Sequence, residues 1–222
     1  MQPINTHNHP CWGLTGGIGS GKSTVAKLWQ KHQKVHLIDT DAIARALTQA
    51  HGAAMADIAE QFGPDFVDAS GALDRNKMRD LVFRQPAARK QLEAIIHPRV
   101  HARVNAEIQR SIALGCEAAL IDIPLLAESA QWRQILDKII VVDCDENTQI
   151  ARVKARNNLD EAAIRSIIAA QASRQTRLAL ADVVIHNQGI GLDVLEQHIV
   201  RMIETQMRSQ AHAQDGAPPR SS

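Results

Sequence analysis

The chain has 222 residues, 45% hydrophobic and 22% charged, and its 25 Lys and Arg against 24 Asp and Glu leave a net charge of +1. That composition excludes a disordered chain, a collagen and a simple coiled coil, and the length fits one compact domain carrying an inserted subdomain. The near-neutral balance argues against a general nucleic-acid binder, which carries a basic surplus; three Phe, three Trp and no Tyr also leave few platforms for stacked bases.

Residues 1–10 are polar and rich in His and Asn. They read as a flexible leader without the basic-then-apolar order of a signal peptide. His7 and His9 have no further ligands nearby in sequence and are read as accidental rather than as a metal pair. Residues 11–15 form the first apolar run, and a helix is expected over Lys22–His32. A second run, 35–38, is followed by a helical stretch over 42–49. Residues 53–114 contain no strand-like run. Their apolar positions recur at helical spacing instead: Met55, Ile58, Ala59 and Phe62; Met78, Leu81 and Val82; Leu92, Ile95 and Ile96; Val100, Val104 and Ile108. Asp74 fits an N-cap and Pro86 a first helical turn, while Pro98 is expected to break or kink a helix near His97.

Strand-like runs return at 118–121, 138–142 and 183–185. Between the last two lies an Arg-rich helical region, 147–175. A turn at Asn187-Gln188-Gly189 precedes an amphipathic helix over 192–207, and residues 209–222 read as a disordered tail. Alternating strands and helices predict an α/β fold with a parallel sheet, and the continuous apolar runs predict strands covered on both faces. The stretch 53–114 interrupts that alternation as a helical insert. Cys11, Cys116 and Cys144 are odd in number and form no C-x-x-C pair, which suits a reducing cytoplasm. No apolar run reaches the length of a membrane-spanning helix, so no membrane partner is expected.

Gly16-Gly17-Ile18-Gly19-Ser20-Gly21-Lys22-Ser23 fits G-x-x-x-x-G-K-[ST] between an apolar strand and a helix, the context that makes this pattern a P-loop. Its glycines let backbone N–H groups turn inward around phosphate oxygens, and the following helix adds its positive end. Lys22 would reach the outer phosphates, and the Ser23 hydroxyl would face Mg²⁺. After the second run comes Asp39-Thr40-Asp41-Ala42-Ile43-Ala44-Arg45. In extended chain Asp39 and Asp41 share a side, and the carboxyl ends of parallel strands are where ligands bind. Asp41 is therefore a candidate to accept a proton from a hydroxyl, with Arg45 one helical turn on to hold a substrate phosphate. The bland alternative makes Asp41 an N-cap and Arg45 its solvated partner. Asp122 ends the third run, where P-loop proteins place a Mg²⁺-holding carboxylate. Arg152 and Arg156, four apart, share a helix face that could close over phosphates or be merely solvated.

Beyond the P-loop, several words occur in order: Asp39-x-Asp41-x-x-x-Arg45, Leu73-Asp74-Arg75, His97-Pro98-x-Val100, Ile123-Pro124-Leu125-Leu126 with Glu128, and Ala181-Asp182-Val183-Val184-Ile185-x-Asn187-x-Gly189. Together they resemble the dephospho-CoA kinase family over roughly residues 12–207. The resemblance implies a nucleoside-monophosphate-kinase-like P-loop fold with a five-stranded parallel core, a helical acceptor domain and a lid. It also implies ATP as phosphoryl donor, Mg²⁺, and dephospho-CoA as acceptor. Carried over, Gly17, Gly19, Ser20, Gly21, Lys22, Ser23 and Thr24 would hold ATP phosphates, and Asn187 and Gly189 would lie near adenine. Asp41 would be the base; Lys22 and Arg152 would be catalytic; Arg45, His97 and Arg156 would face substrate; Ser23 and Asp122 would serve the metal. The chain departs from the family pattern at Lys31-His32-Gln33-Lys34, where a Gly is usual, at Ala127, usually aromatic, and at Arg156-Asn157, usually Arg-Asp. Rival readings are another small-molecule P-loop kinase, such as a nucleotide or shikimate kinase, and a regulatory nucleotide switch. For a guanine-specific switch the nearest word, Asn76-Lys77-Met78-Arg79, lacks the required Asp.

Overall fold

The computed structural model describes residues 9–157 and 159–215, with residue 130 and residues 206–215 in backbone only. The apolar runs become β1 (Cys11–Gly16), β2 (Val35–Asp39), β3 (Ala118–Asp122), β4 (Lys138–Asp143) and β5 (Val183–His186). They form one parallel sheet in the order β2-β3-β1-β4-β5. Every residue of β1 is buried, as a central strand covered on both faces requires. Gly13 pairs with Ile121 on one side and Ile139 on the other.

The helices are α1 (Lys22–His32), α2 (Thr40–Leu47), α3 (Met55–Phe62), α4 (Arg75–Arg84), α5 (Pro86–Ala113), α6 (Glu146–Asn157), α7 (Glu161–Ala170), α8 (Arg174–Ala179) and α9 (Leu192–Asp215). One face of the sheet packs on α1 and α9 in a core built from Trp12, Leu14, Val25, Trp29, Ile140, Leu195 and Ile199. Trp29 donates its indole N–H to Gln33 at 2.7 Å, and that buried Gln caps α1 in extended backbone, so no Gly is needed before β2.

Ile38–Leu114 forms one compact unit and the rest of the described chain another. Beyond the end of β2 the smaller unit is helical, as its spacing predicts, with an isolated bridge between Val67 and Leu73. Its core joins Ala54, Met55 and Ile58 of the α3 region to Leu73 and Met78. Asp74 caps α4, accepting the N–H groups of Asn76 and Lys77. Arg99 of α5 pairs with Asp57 of α3 and also donates to the Ala53 carbonyl.

One local expectation is narrowed and one corrected. Of the break or kink expected at Pro98, the break does not occur: α5 continues through it to Ala113. The proline forfeits one backbone bond, but Leu92 and Ile95 before it are packed in the unit's core, Val100 after it is buried, and the Arg99 guanidinium donates to the Ile95 carbonyl at 2.8 Å. The last helix does not stop near 207 but runs to Asp215, into the stretch expected as tail. Residues 209–215 contain Gln and Ala, which extend an established helix at little cost. Residues 216–222, and all of the leader before His9, lie outside the described residues. His9 itself is buried.

Candidate active site

The loop 17–21 joins β1 to α1 as a tight glycine-rich turn. Gly21 takes φ +92° immediately before the helix, a left-handed conformation that favours glycine, and its carbonyl accepts the N–H groups of Thr24 and Val25. Gly19 also has positive φ. Added side-chain carbons have no room. One on Gly17 would meet the Gln149 amide and lie 2.9 Å from Nη2 of Arg177; one on Gly21 would meet the Asn187 amide. The loop is thus pressed from behind by α6, α8 and the turn after β5. Ile18 packs into the cluster of Ile150, Val153 and Ile164, which ties the loop to α6 and α7.

Polar side chains brace the same loop. Asn187, buried, donates its amide N–H to the Ser20 carbonyl at 2.8 Å. Arg152 donates to the Ser20 and Gly19 carbonyls at 3.2 and 3.4 Å and to Asn187 Oδ1 at 3.4 Å. Gln171 accepts the Ile18 N–H at 3.0 Å. Ser20 Oγ is buried without a hydrogen-bond partner among the described residues. Lys22, at the first position of α1, pairs with Asp122 at the end of β3, both side chains mostly shielded from water at 17% and 14% exposure. Ser23 is exposed beside it and Thr24 half-buried. Gly189 lies in the exposed turn after β5 with φ +67°.

The lid-region residues separate. Arg152 reaches the P-loop, whereas Arg156 is exposed and donates to its neighbour Asn157 at 2.6 Å, with no hydrogen bond to the loop among the described residues. Arg174 grips buried Asp143, at the end of β4, through two hydrogen bonds of 2.8 and 2.6 Å. That grip holds the Asp143 carboxyl below its ordinary pKa, more than offsetting burial; His186 Nδ1, 3.4 Å away, adds to the effect.

In the smaller unit the acidic pair divides its labour. Asp39, not Asp41, is the N-cap of α2: its Oδ1 accepts the Ala42 N–H at 2.8 Å. The strand therefore ends at Asp39 and the helix begins at Thr40, so the two carboxylates do not share one extended face, as the sequence spacing suggested. Asp41 sits exposed in the first helical turn, without a hydrogen bond or ion pair among the described residues. Arg45 is exposed and lies 3.8 Å from Asp39 rather than serving Asp41. The C-terminal end of α2 is closed by Thr48 and by Arg75, which donates to Thr48 Oγ1 at 2.9 Å. His97 is half-buried on α5, directly before Pro98.

Sequence reading missed Arg177, Gln149 and Gln171, and saw Arg174 only as one member of a basic stretch. None sits in a spacing that marks a site. Their sole signal is polar residues in a region that the sheet order brings behind the loop.

A parallel sheet with this loop between β1 and α1, backed by arginines from the helices after β4, defines a P-loop kinase. Residues 11–193 match the family described as CoaE, dephospho-CoA kinase. A dephospho-CoA kinase of Albidiferax ferrireducens is 50% identical over 183 residues, covering 82% of this chain and 86% of that one. One from Burkholderia pseudomallei is 46% identical over 203 residues, 91% of this chain and 98% of that one. The crystal structure of TT1252 from Thermus thermophilus superposes with a TM-score of 0.75 at 30% identity, covering 90% of this chain and 98% of that one. The chain belongs to the dephospho-CoA kinase family.

Proposed function

We propose that this chain transfers the terminal phosphoryl group of ATP to the ribose 3′-hydroxyl of dephospho-CoA, giving CoA and ADP. The observation that carries the reading is the braced glycine cradle with Lys22 at the start of α1, in a chain of this family. Gly17, Gly19, Ser20, Gly21, Ser23 and Thr24 bind the phosphates through backbone N–H groups and hydroxyls. The buried Ser20 hydroxyl, which lacks a partner among the described residues, supports an added polar ligand at the loop. Asn187 and Gly189 lie on the adenine side, where Asn187 also fixes the loop carbonyl of Ser20.

Transfer of this kind passes through a loose transition state, so positioning and charge neutralisation outweigh base strength. Lys22 leaves Asp122 for the outer phosphates and stabilises charge on departing ADP. Arg152, already at the loop carbonyls, needs only a side-chain movement to meet phosphate oxygens. Asp41 orients the acceptor hydroxyl and takes its proton, a role open to it because Asp39 does the capping. Arg45 and His97 face dephospho-CoA, and Arg156 serves the lid. Ser23 and Asp122 are hard oxygen donors that fit Mg²⁺, which would supply charge neutralisation between the outer phosphates. Three free cysteines suit work in the cytoplasm. No helix among the described residues is long and apolar enough to cross a membrane.

Incubation with ATP and a panel of acceptors, followed by product identification, tests the reading. Phosphorylation of dephospho-CoA alone supports it; transfer to AMP or shikimate in its place rejects it.

A further inference from the structure

Arg177 is 8% exposed, yet no carboxylate forms an ion pair with it among the described residues. A guanidinium carries five N–H donors; here one acceptor, the Ala172 carbonyl, meets them. Glu128 and Asp143 act on it only through space: Glu128 accepts the Ala172 N–H at 2.7 Å and keeps its charge, and Asp143 is held by Arg174. Burial pushes the Arg177 pKa down, which marks the charged form as poorly compensated. The side chain also presses on the P-loop, its Nη2 2.9 Å and Cζ 3.2 Å from where a Gly17 side-chain carbon would sit.

A buried cation with no carboxylate in direct contact is only partly compensated and lowers stability, and replacing it by an apolar group of similar size commonly raises stability. Its retention behind a loop built to take anions needs another cause. We infer that Arg177 is a positioning residue of the phosphate site: its buried charge is balanced by a polyphosphate on the P-loop, so that it destabilises the ligand-free protein and tightens binding of the nucleotide. The inference rests on the proposed ATP site. Arg177 acts across the loop backbone, and its effect therefore grows with the charge of the ligand. ATP and ADP should feel it strongly and AMP little.

The test compares full-length wild type, Arg177→Met, Arg177→Gln and Arg177→Lys by thermal melting without nucleotide and by calorimetric titration with ATP and with AMP. Arg177→Met should melt at or above the wild-type temperature. It should bind ATP about tenfold or more weakly, the scale of one lost charge-assisted contact, and AMP within about twofold of wild type. Arg177→Lys, which keeps the charge, should recover much of the ATP affinity. A lower melting temperature with unchanged ATP affinity in Arg177→Met would make Arg177 a structural brace and overturn the inference. Should Arg177→Met fail to fold, the other two variants decide: ATP binding weakened in Arg177→Gln but not in Arg177→Lys supports it, and equal affinity in both overturns it. A wild-type protein that took up no ATP would instead remove the phosphate-site reading on which the inference stands.

Discussion

At the residue scale, two carboxylates owe their chemistry to what their neighbours already do. Asp39 satisfies the opening N–H of α2, which leaves Asp41 exposed in the first turn of the helix. Asp41→Asn should therefore lower kcat by ~10²–10⁴-fold, the range for a positioned base, while the melting temperature barely moves; turnover within a few-fold of wild type would reject Asp41 as base. Lys22 and Asp122 are different because each shields the other from an unpaired charge. Lys22→Ala should cut kcat/KM for ATP by ~10²–10³-fold, the scale of one lost transition-state contact, and also lower the melting temperature by stranding Asp122. Adding Asp122→Asn should restore the melting temperature without restoring activity, and calorimetry beside a kinase assay reads both.

At the element scale, helix ends explain where the chain turns. Asp74 satisfies two N–H groups at the start of α4. Asp74→Ala should cost about 1 kcal/mol, as N-cap truncations do, read from urea denaturation at unchanged m-value. Asp74 was legible as a cap because the cue is local: an acidic residue just before apolar positions at helical spacing. Pro98 shows the converse: of a break or a kink, the break is absent. A proline's local penalty is fixed, but whether a helix survives it depends on packing on both sides, and α5 has buried residues at Val100, Val104 and Ile108 beyond the proline.

At the scale of the whole molecule, Asp143 joins three parts of the larger unit: it ends β4, its side chain holds Arg174 of α8, and its backbone carbonyl accepts the Asn187 N–H after β5. Its folded pKa is depressed, chiefly by the hydrogen bond from Arg174. The unfolded chain then binds the proton more readily, so stability rises with pH across that interval. The contribution is complete above the ordinary carboxylate pKa and fades as pH falls through the lower folded value. Melting temperatures of wild type should drop steeply below about pH 4, and Asp143→Asn should be less stable near neutrality with a shallower acid limb. Parallel acid limbs in the two proteins would reject Asp143 as a source of that dependence.

Sequence alone determined the strands, the helical insert, the P-loop and the Asp74 cap, because each is a pattern of near neighbours: continuous apolar runs, helical spacing, glycines before Lys and Ser. It also placed Asp122 at the end of the third strand and Asp41 just past the second. Tertiary structure decided that Lys22 meets Asp122, and that Gln149, Gln171 and Arg177 stand against a loop more than a hundred residues earlier in the chain. Those contacts follow from β3 and β4 lying on either side of β1 in the sheet, and strand order is set by burial of the whole core, a property that no short window of residues carries.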